Sequence, residues 1–273
     1  MKNMKQSITI AWLYPDLMST YGDRGNVIVL QKRCEWRGID VKIIPVTLET
    51  SHSALSTSDL IFMGGAQDRQ QKLAGDDFLK RKGPVVKELV EKGIPALFVC
   101  AAYQFAGHYY KPYRGDKIPC AGIFDLYTEH PGDQTKRLIG NVIAKVIDLP
   151  LSSRDPSDRE AISHQHEIAT PSTPRKDNAI VGFENHGGRT YLGHKVKPLA
   201  VVTKGYGNNG EDGYDGAVYK NAIGSYLHGP FLPKNPYVAD WLIAKALEVK
   251  CDKHVTLKEL DDSFEWRAHR QML

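Results

Sequence analysis

Cys100 stands where an apolar run stops and a run of small residues begins. Residues 94–107 read IPALFVCAAYQFAG, with no turn residue between the apolar part and Ala101-Ala102. A short apolar run after Gly93 reads as a buried strand, and the residues beyond Cys100 read as a helix. A residue at such a strand-to-helix turn is held out at the top of the sheet. The helix points its free N–H groups and partial positive charge at that residue. A thiol so placed is favoured as the thiolate, the form that attacks a carbonyl carbon. Ala101 and Ala102 are small enough for a sharp turn. The bland alternative is a structural cysteine closing a core strand, and this stretch alone leaves both readings open.

A thiol nucleophile needs a base. His228 lies in GSYLHGP, after an alternating apolar segment and before a Gly-Pro break, so it is expected at a strand end within reach of a neighbouring site. A histidine in a turn is otherwise an ordinary surface residue. Acyl transfer also needs N–H donors for an oxyanion. Gly64-Gly65 in MGGAQDRQQ follow an apolar run, and the Gly65 and Ala101 N–H groups are the expected pair. A phosphate loop is the rival reading of these glycines, but the Walker spacing and its Lys-Ser/Thr are absent. His164 and His166 in SHQHE lack a third ligand at useful spacing, so no metal site is expected.

The elements that must position these groups alternate along the chain. Strands are expected at 7–13, 39–46, 59–63 and 94–100, and helices at 26–38, 83–93 and 235–250. Continuous apolar strands alternating with helices predict an α/β fold with a central, mostly parallel sheet, and such sheets carry function at the carboxyl ends of their strands. Later segments, AIVGFE, RTYLGHKV and LAVVTKGYG, are punctuated by Gly and Asn and predict an antiparallel extension. Residues 217–230 read as a hairpin. Residues 149–178, rich in Ser, Asp, Pro and charge, read as a surface insertion. No linker or repeat interrupts 1–273, so a single domain is expected.

Composition excludes several classes. The chain has 273 residues, 41% hydrophobic and 25% charged, as in ordinary globular proteins. Its 36 basic and 32 acidic residues leave a net charge of +4. No dense basic tract interleaved with aromatics points to nucleic acid. No apolar stretch is long enough for a membrane span or, at the N-terminus, for a signal peptide. Cys34, Cys100, Cys120 and Cys251 are scattered without a CxxC pair, which argues against zinc and dense disulfides and for the cytoplasm.

A strand, a cysteine, a glutamine four residues on, a preceding Gly-Gly and a later Asn185-His186-Gly187 resemble the class I glutamine amidotransferases. Longer stretches are similar to one branch: YGDRGN (21–26), GGAQDRQQ (64–71), CAAYQFAG (100–107), TKRLIGN (135–141), GFENHGGRTYLG (182–193), KGYGNNGED (204–212) and YKNAIGSYLHGPFLPKNP (219–236). That branch holds the amidotransferase subunits of lipid II isoglutaminyl synthases, related to the amidotransferases of cobyric acid synthesis. The resemblance spans about residues 8 to 250 and is weakest in 149–178.

It implies the class I amidotransferase fold and a glutaminase acting as one half of a heterodimer. This subunit would release ammonia and need no cofactor. A Mur-ligase-like partner would use ATP and Mg²⁺ to activate the D-glutamate α-carboxyl of lipid II, giving D-isoglutamine for peptidoglycan. Cys100 would be the nucleophile and His228 the base and acid. Arg137 would hold the substrate α-carboxylate in a two-pronged bond, with Gln104 and the His186-Gly187 backbone helping to seat glutamine. Without the resemblance, Arg137 reads as a surface residue.

Two departures stand out. Most class I members carry glycine where this chain has Ala101 and Ala102, and a positive φ at alanine costs about 1 kcal/mol or more. Their third triad member, a glutamate two residues after the histidine, is replaced by Pro230, which predicts a Cys-His dyad or an acid from the partner. Rival readings are amidation of another acid such as a corrin precursor, a catalytically silent binding module, and a thiol protein of another kind on a similar sheet.

Overall fold

The computed structural model describes residues 6–132, 135–147, 149 and 178–273. Strand β1 (Ser7–Leu13), helix α1 (Arg24–Glu35), β2 (Asp40–Val46) and β3 (Leu60–Met63) open the chain. Helix α2 (Asp68–Asp77) runs through a wider turn at 78–82 into α3 (Gly83–Glu91). β4 (Ala96–Val99) and the short α4 (Ala101–Phe105) come next. Then come β5 (Tyr109–Lys111), β6 (Ile118–Pro119), β7 (Leu126–Glu129) and β8 (Leu138–Val146). β9 (Ala179–His186), β10 (Arg189–Leu192), β11 (Ala200–Lys204), β12 (Tyr214–Asp215), β13 (Ala217–Tyr219) and β14 (Ala222–Ser225) precede α5 (Pro236–Cys251) and α6 (Ser263–Arg270).

Six strands form the central sheet in the order β13-β14-β4-β3-β1-β2. Every pair in it is parallel except the β13-β14 hairpin at the edge. All residues of β3 and β4 are buried. Covered on both faces, these strands have no polar side to alternate, which is why they appear in the sequence as unbroken apolar runs. Two four-stranded sheets, ordered β10-β7-β5-β6 and β12-β11-β8-β9, form the extension. The second is antiparallel throughout. The first is mixed, since β5 pairs with β7 in parallel.

The main strands and the three expected helices occur within a few residues of their expected places. α2 and the strands between 109 and 146 were not anticipated. α2 reads DRQQKLAGDD, with Leu73 half-exposed and Ala74 buried, so it lacks an apolar stripe. Apart from its two end residues, the insertion expected at 149–178 lies outside the described residues.

Close approach between elements depends on small residues. A Cβ at Gly224 in β14 would lie 2.1 Å from Tyr103 Cδ2, so glycine there lets α4 seat its buried Tyr103 against the sheet. Tyr103 in turn packs edge-on against Phe124 and Tyr226.

Candidate active site

β3, β4 and β14 end on the same side of the parallel sheet, and the residues just beyond them converge. Cys100 comes directly after β4 with φ +55° and ψ −108°. That conformation costs a non-glycine residue about 1–3 kcal/mol and persists only where its surroundings fix it. Here the Cys100 N–H donates to the Ser225 carbonyl at 2.9 Å and the Cys100 carbonyl accepts from Gln104 N–H at 3.1 Å. The strain sits on the cysteine, not on the alanines. Ala101 and Ala102 are helical and fully buried, so the expected cost of an alanine in place of glycine does not arise.

His228 lies three residues beyond β14. Its backbone is pinned to β9 by paired bonds with Phe183: His228 N–H to Phe183 O at 2.8 Å, and the reverse at 3.2 Å. Its ring is fully buried. Nδ1 is 3.1 Å from Asp23 Oδ1, while Nε2 has no hydrogen-bond partner among the described residues. Burial pulls the imidazole pKa down. The negative charge available to the Cys100 sulfur and the bond to Asp23 outweigh it and push the pKa up to about 10. The Tyr21 ring meets the imidazole edge-on at 5.0 Å.

Cys100 and His228 both line a cavity of about 1020 Å³, together with Gln104, Arg137, His186 and Gly187. Gly65 and Ala101 are chain neighbours of the lining residues Ala66 and Cys100. The Gly65 N–H donates to Asp23 Oδ2 at 2.7 Å. It is therefore already engaged, which corrects its expected place in an oxyanion pair. Its glycine serves another end: a Cβ there would lie 2.8 Å from His228 Cε1 and 3.2 Å from Cys100 Cβ. Ala66, the next residue, lines the cavity, and no described residue accepts its N–H. Ala101 contributes the first N–H of α4 beside the thiol.

Arg137 precedes β8 and is exposed. Its Nε donates to Asn185 Oδ1 and its Nη2 to Asn185 O, both at 2.9 Å, so neither bond uses Nη1. Asn185 Nδ2 donates to Tyr21 OH at 2.8 Å, linking the guanidinium to the residue against the His228 ring. Gln104 donates through Nε2 to Tyr226 OH at 3.1 Å, and its amide is held in the wall. His186 is buried and stacks on Tyr226 at 3.6 Å. Burial lowers its pKa, against the nearby Glu184 carboxylate. Glu184 accepts the Tyr206 and Gly207 N–H groups at 2.7 and 2.9 Å, so the turn at 185–188 rests on a fixed base. The imidazole of His186 is thus part of that support, and His186 and Gly187 both line the cavity.

Asp23 was missed in the sequence. It lies 205 residues from His228, in the YGDRGN stretch, which carries the resemblance but points to no role for its aspartate. Among the described residues no cluster of His, Cys, Asp or Glu could hold a metal ion, and all four cysteines are free thiols.

The chain matches the CobB/CobQ-like glutamine amidotransferase domain over residues 9–236. It belongs to this amidotransferase family. It is 38% identical over 266 residues to the lipid II isoglutaminyl synthase (glutamine-hydrolyzing) subunit GatD of Staphylococcus aureus, covering 97% of this chain and 95% of that one. It is 32% identical to the subunit of the same name from Streptococcus pneumoniae, over 95% of this chain and 88% of that one. A crystal structure of a glutamine amidotransferase superposes with a TM-score of 0.52 at 13% identity, covering 86% of this chain and 98% of the other. At that identity the likeness speaks for the amidotransferase fold alone. No helix among the described residues is long and apolar enough to cross a membrane.

Proposed function

We propose that this chain is the glutamine-hydrolysing subunit of a lipid II isoglutaminyl synthase. The observation that carries the reading is the strained Cys100 and the buried His228 lining one cavity together with Arg137. Two relatives over nearly the full chain bear that name and support the choice of acceptor.

In the reaction, Arg137 holds the glutamine α-carboxylate through its remaining donors. The Cys100 thiolate attacks the side-chain amide carbon. The Ala101 and Ala66 N–H groups receive the oxyanion, each strong donor lowering the barrier by roughly 3–4 kcal/mol. The His228 imidazolium gives its Nε2 proton to the leaving ammonia. The neutral imidazole then takes a proton from water, which opens the thioester to glutamate. A Mur-ligase-like partner in the cytoplasm binds ATP and Mg²⁺ and activates the D-glutamate α-carboxyl of lipid II, where the ammonia is consumed.

The test is ammonia and glutamate release from glutamine by the chain alone and with its co-expressed ligase partner. Wild-type release that disappears in Cys100→Ala is the expected result. No release even in the complex would leave a binding module in place of an enzyme.

A further inference from the structure

We infer that Asp23 is the positioning carboxylate of this site, holding the His228 base with one oxygen and the turn after β3 with the other. The inference rests on the glutaminase reading above and names how its base is oriented. It differs from both a bare Cys-His dyad and an acid brought by the partner.

Asp23 is fully buried, and a carboxylate in that position is tolerated only when its oxygens are bonded. Oδ1 meets His228 Nδ1 and Oδ2 accepts the Gly65 N–H. With Nδ1–H directed at Asp23, Nε2 makes no other bond and is left free beside Cys100, which interacts with the same ring, the arrangement a base needs. Asp23 also occupies the N-cap position of α1. Asp is favoured there because its side chain can accept the helix's free N–H groups, yet this side chain makes no capping bond. Its oxygens are turned away from its own helix and into the site.

The segment around it is built to keep that geometry. Asn26 Oδ1 accepts Leu232 N–H at 2.8 Å, tying the start of α1 to the chain just after His228. Pro230 packs on the same turn: a Cβ at Gly25 would lie 2.4 Å from Pro230 Cγ. Pro230, two residues after His228, thus packs against the segment that delivers the aspartate from elsewhere in the chain.

The experiment uses the co-purified complex and ¹⁵N-histidine-labelled protein. In wild type, His228 Nδ1–H should give a downfield proton resonance, absent in His228→Ala. Asp23→Asn can still offer an oxygen to Gly65 N–H, so it is expected to fold, but its amide N–H₂ then faces Nδ1 and forces the opposite tautomer. The expected result is loss of the downfield proton and a fall in kcat of roughly 100-fold or more, with KM nearly unchanged. A merely structural aspartate would lower stability and leave both the resonance and the kcat of folded protein in place. An unchanged resonance or unchanged kcat in Asp23→Asn, or no downfield Nδ1–H in wild type, would overturn the inference. Absence of glutaminase in the wild-type complex instead removes the reading beneath it, and the resonance distinguishes the two failures.

Discussion

The His228 ring is charged against the trend of its own burial, and its neighbours decide the balance. Burial favours the neutral imidazole; Cys100 and Asp23 favour the cation strongly enough to push the pKa to about 10. Removing the sulfur should let burial recover ground, leaving Asp23 as the main counterweight. In Cys100→Ala, the His228 ring is therefore expected to titrate at a clearly lower pH than in wild type, followed by its carbon-bound protons in NMR. An identical titration in both proteins would mean that the thiol contributes nothing to the charge on the base. Cys100 and His228 were legible in sequence because each sits in a short stretch whose geometry is local. Asp23 was not, because its partners lie 205 and 42 residues away and its local role looks complete without them. The engaged Gly65 N–H was hidden for the same reason: a glycine pair announces close approach, not which group approaches.

At the scale of elements, the site depends on β14 ending at a fixed height beside β4. Ser225, the last residue of β14, accepts the Cys100 N–H through its carbonyl and the Leu227 N–H through Oγ. Its hydroxyl donates to Asp215 Oδ2 of β12 at 2.8 Å. Asp215 is fully buried and its Oδ1 has no hydrogen-bond partner among the described residues. Burial raises its pKa to about 7, against the Ser225 bond, with the Glu184 and Asp212 carboxylates adding to the rise. A raised folded pKa means that the native state binds more protons than the unfolded chain between about 3.8 and 7. The contribution of this group to stability is full below that window and is lost as pH rises through it. Asp215→Asn keeps an acceptor for Ser225 and carries no charge. The unfolding free energy of wild type minus that of the variant should therefore fall from pH 4 to pH 8, by as much as about 4 kcal/mol. A difference independent of pH, in denaturant melts across that range, would show that Asp215 stays ionised. These supports were invisible in sequence, where LAVVTKGYG predicts a strand of the extension and KGYGNNGED marks the branch, and neither says which side chain Asp215 meets. The parallel core was readable because β3 and β4 are apolar on both faces; β5 to β7 were not, being short, half-exposed and paired outside the main sheet.

Across the whole molecule, the end of α1 far from Asp23 is where the carboxyl-terminal segment is fastened. Arg33 is almost fully buried and bridges two elements: Nε and Nη2 bond Asp240 of α5, while Nη1 and Nη2 bond Asp262 just before α6, at 2.6 to 3.0 Å. Trp266 of α6 stacks on Tyr237 of α5 with ring planes 3° apart, and His269 Nδ1 bonds the Lys234 carbonyl at 2.7 Å. Arg33→Ala would leave Asp262 without its counter-charge, while Asp240 would keep only Arg37, whose Nη2 bonds it at 2.8 Å. Breaking such a cluster costs about 3 kcal/mol, the low end of the range for buried ion pairs, because Arg37 still pairs Asp240 and the two carboxylates keep 26% and 20% of their surface in water. For a chain of this size that corresponds to a fall in Tm of roughly 6–12 °C. Arg33→Lys should recover little, since one ammonium cannot reproduce four bonds to two carboxylates. Ten residues of helix place Arg33 about 15 Å along α1 from Asp23. The folded fraction of Arg33→Ala should therefore keep wild-type kcat and KM for glutamine at a temperature well below its melt. A variant with an unchanged Tm but a reduced kcat would reverse the argument, making the carboxyl-terminal fastening a determinant of the site and not of the fold.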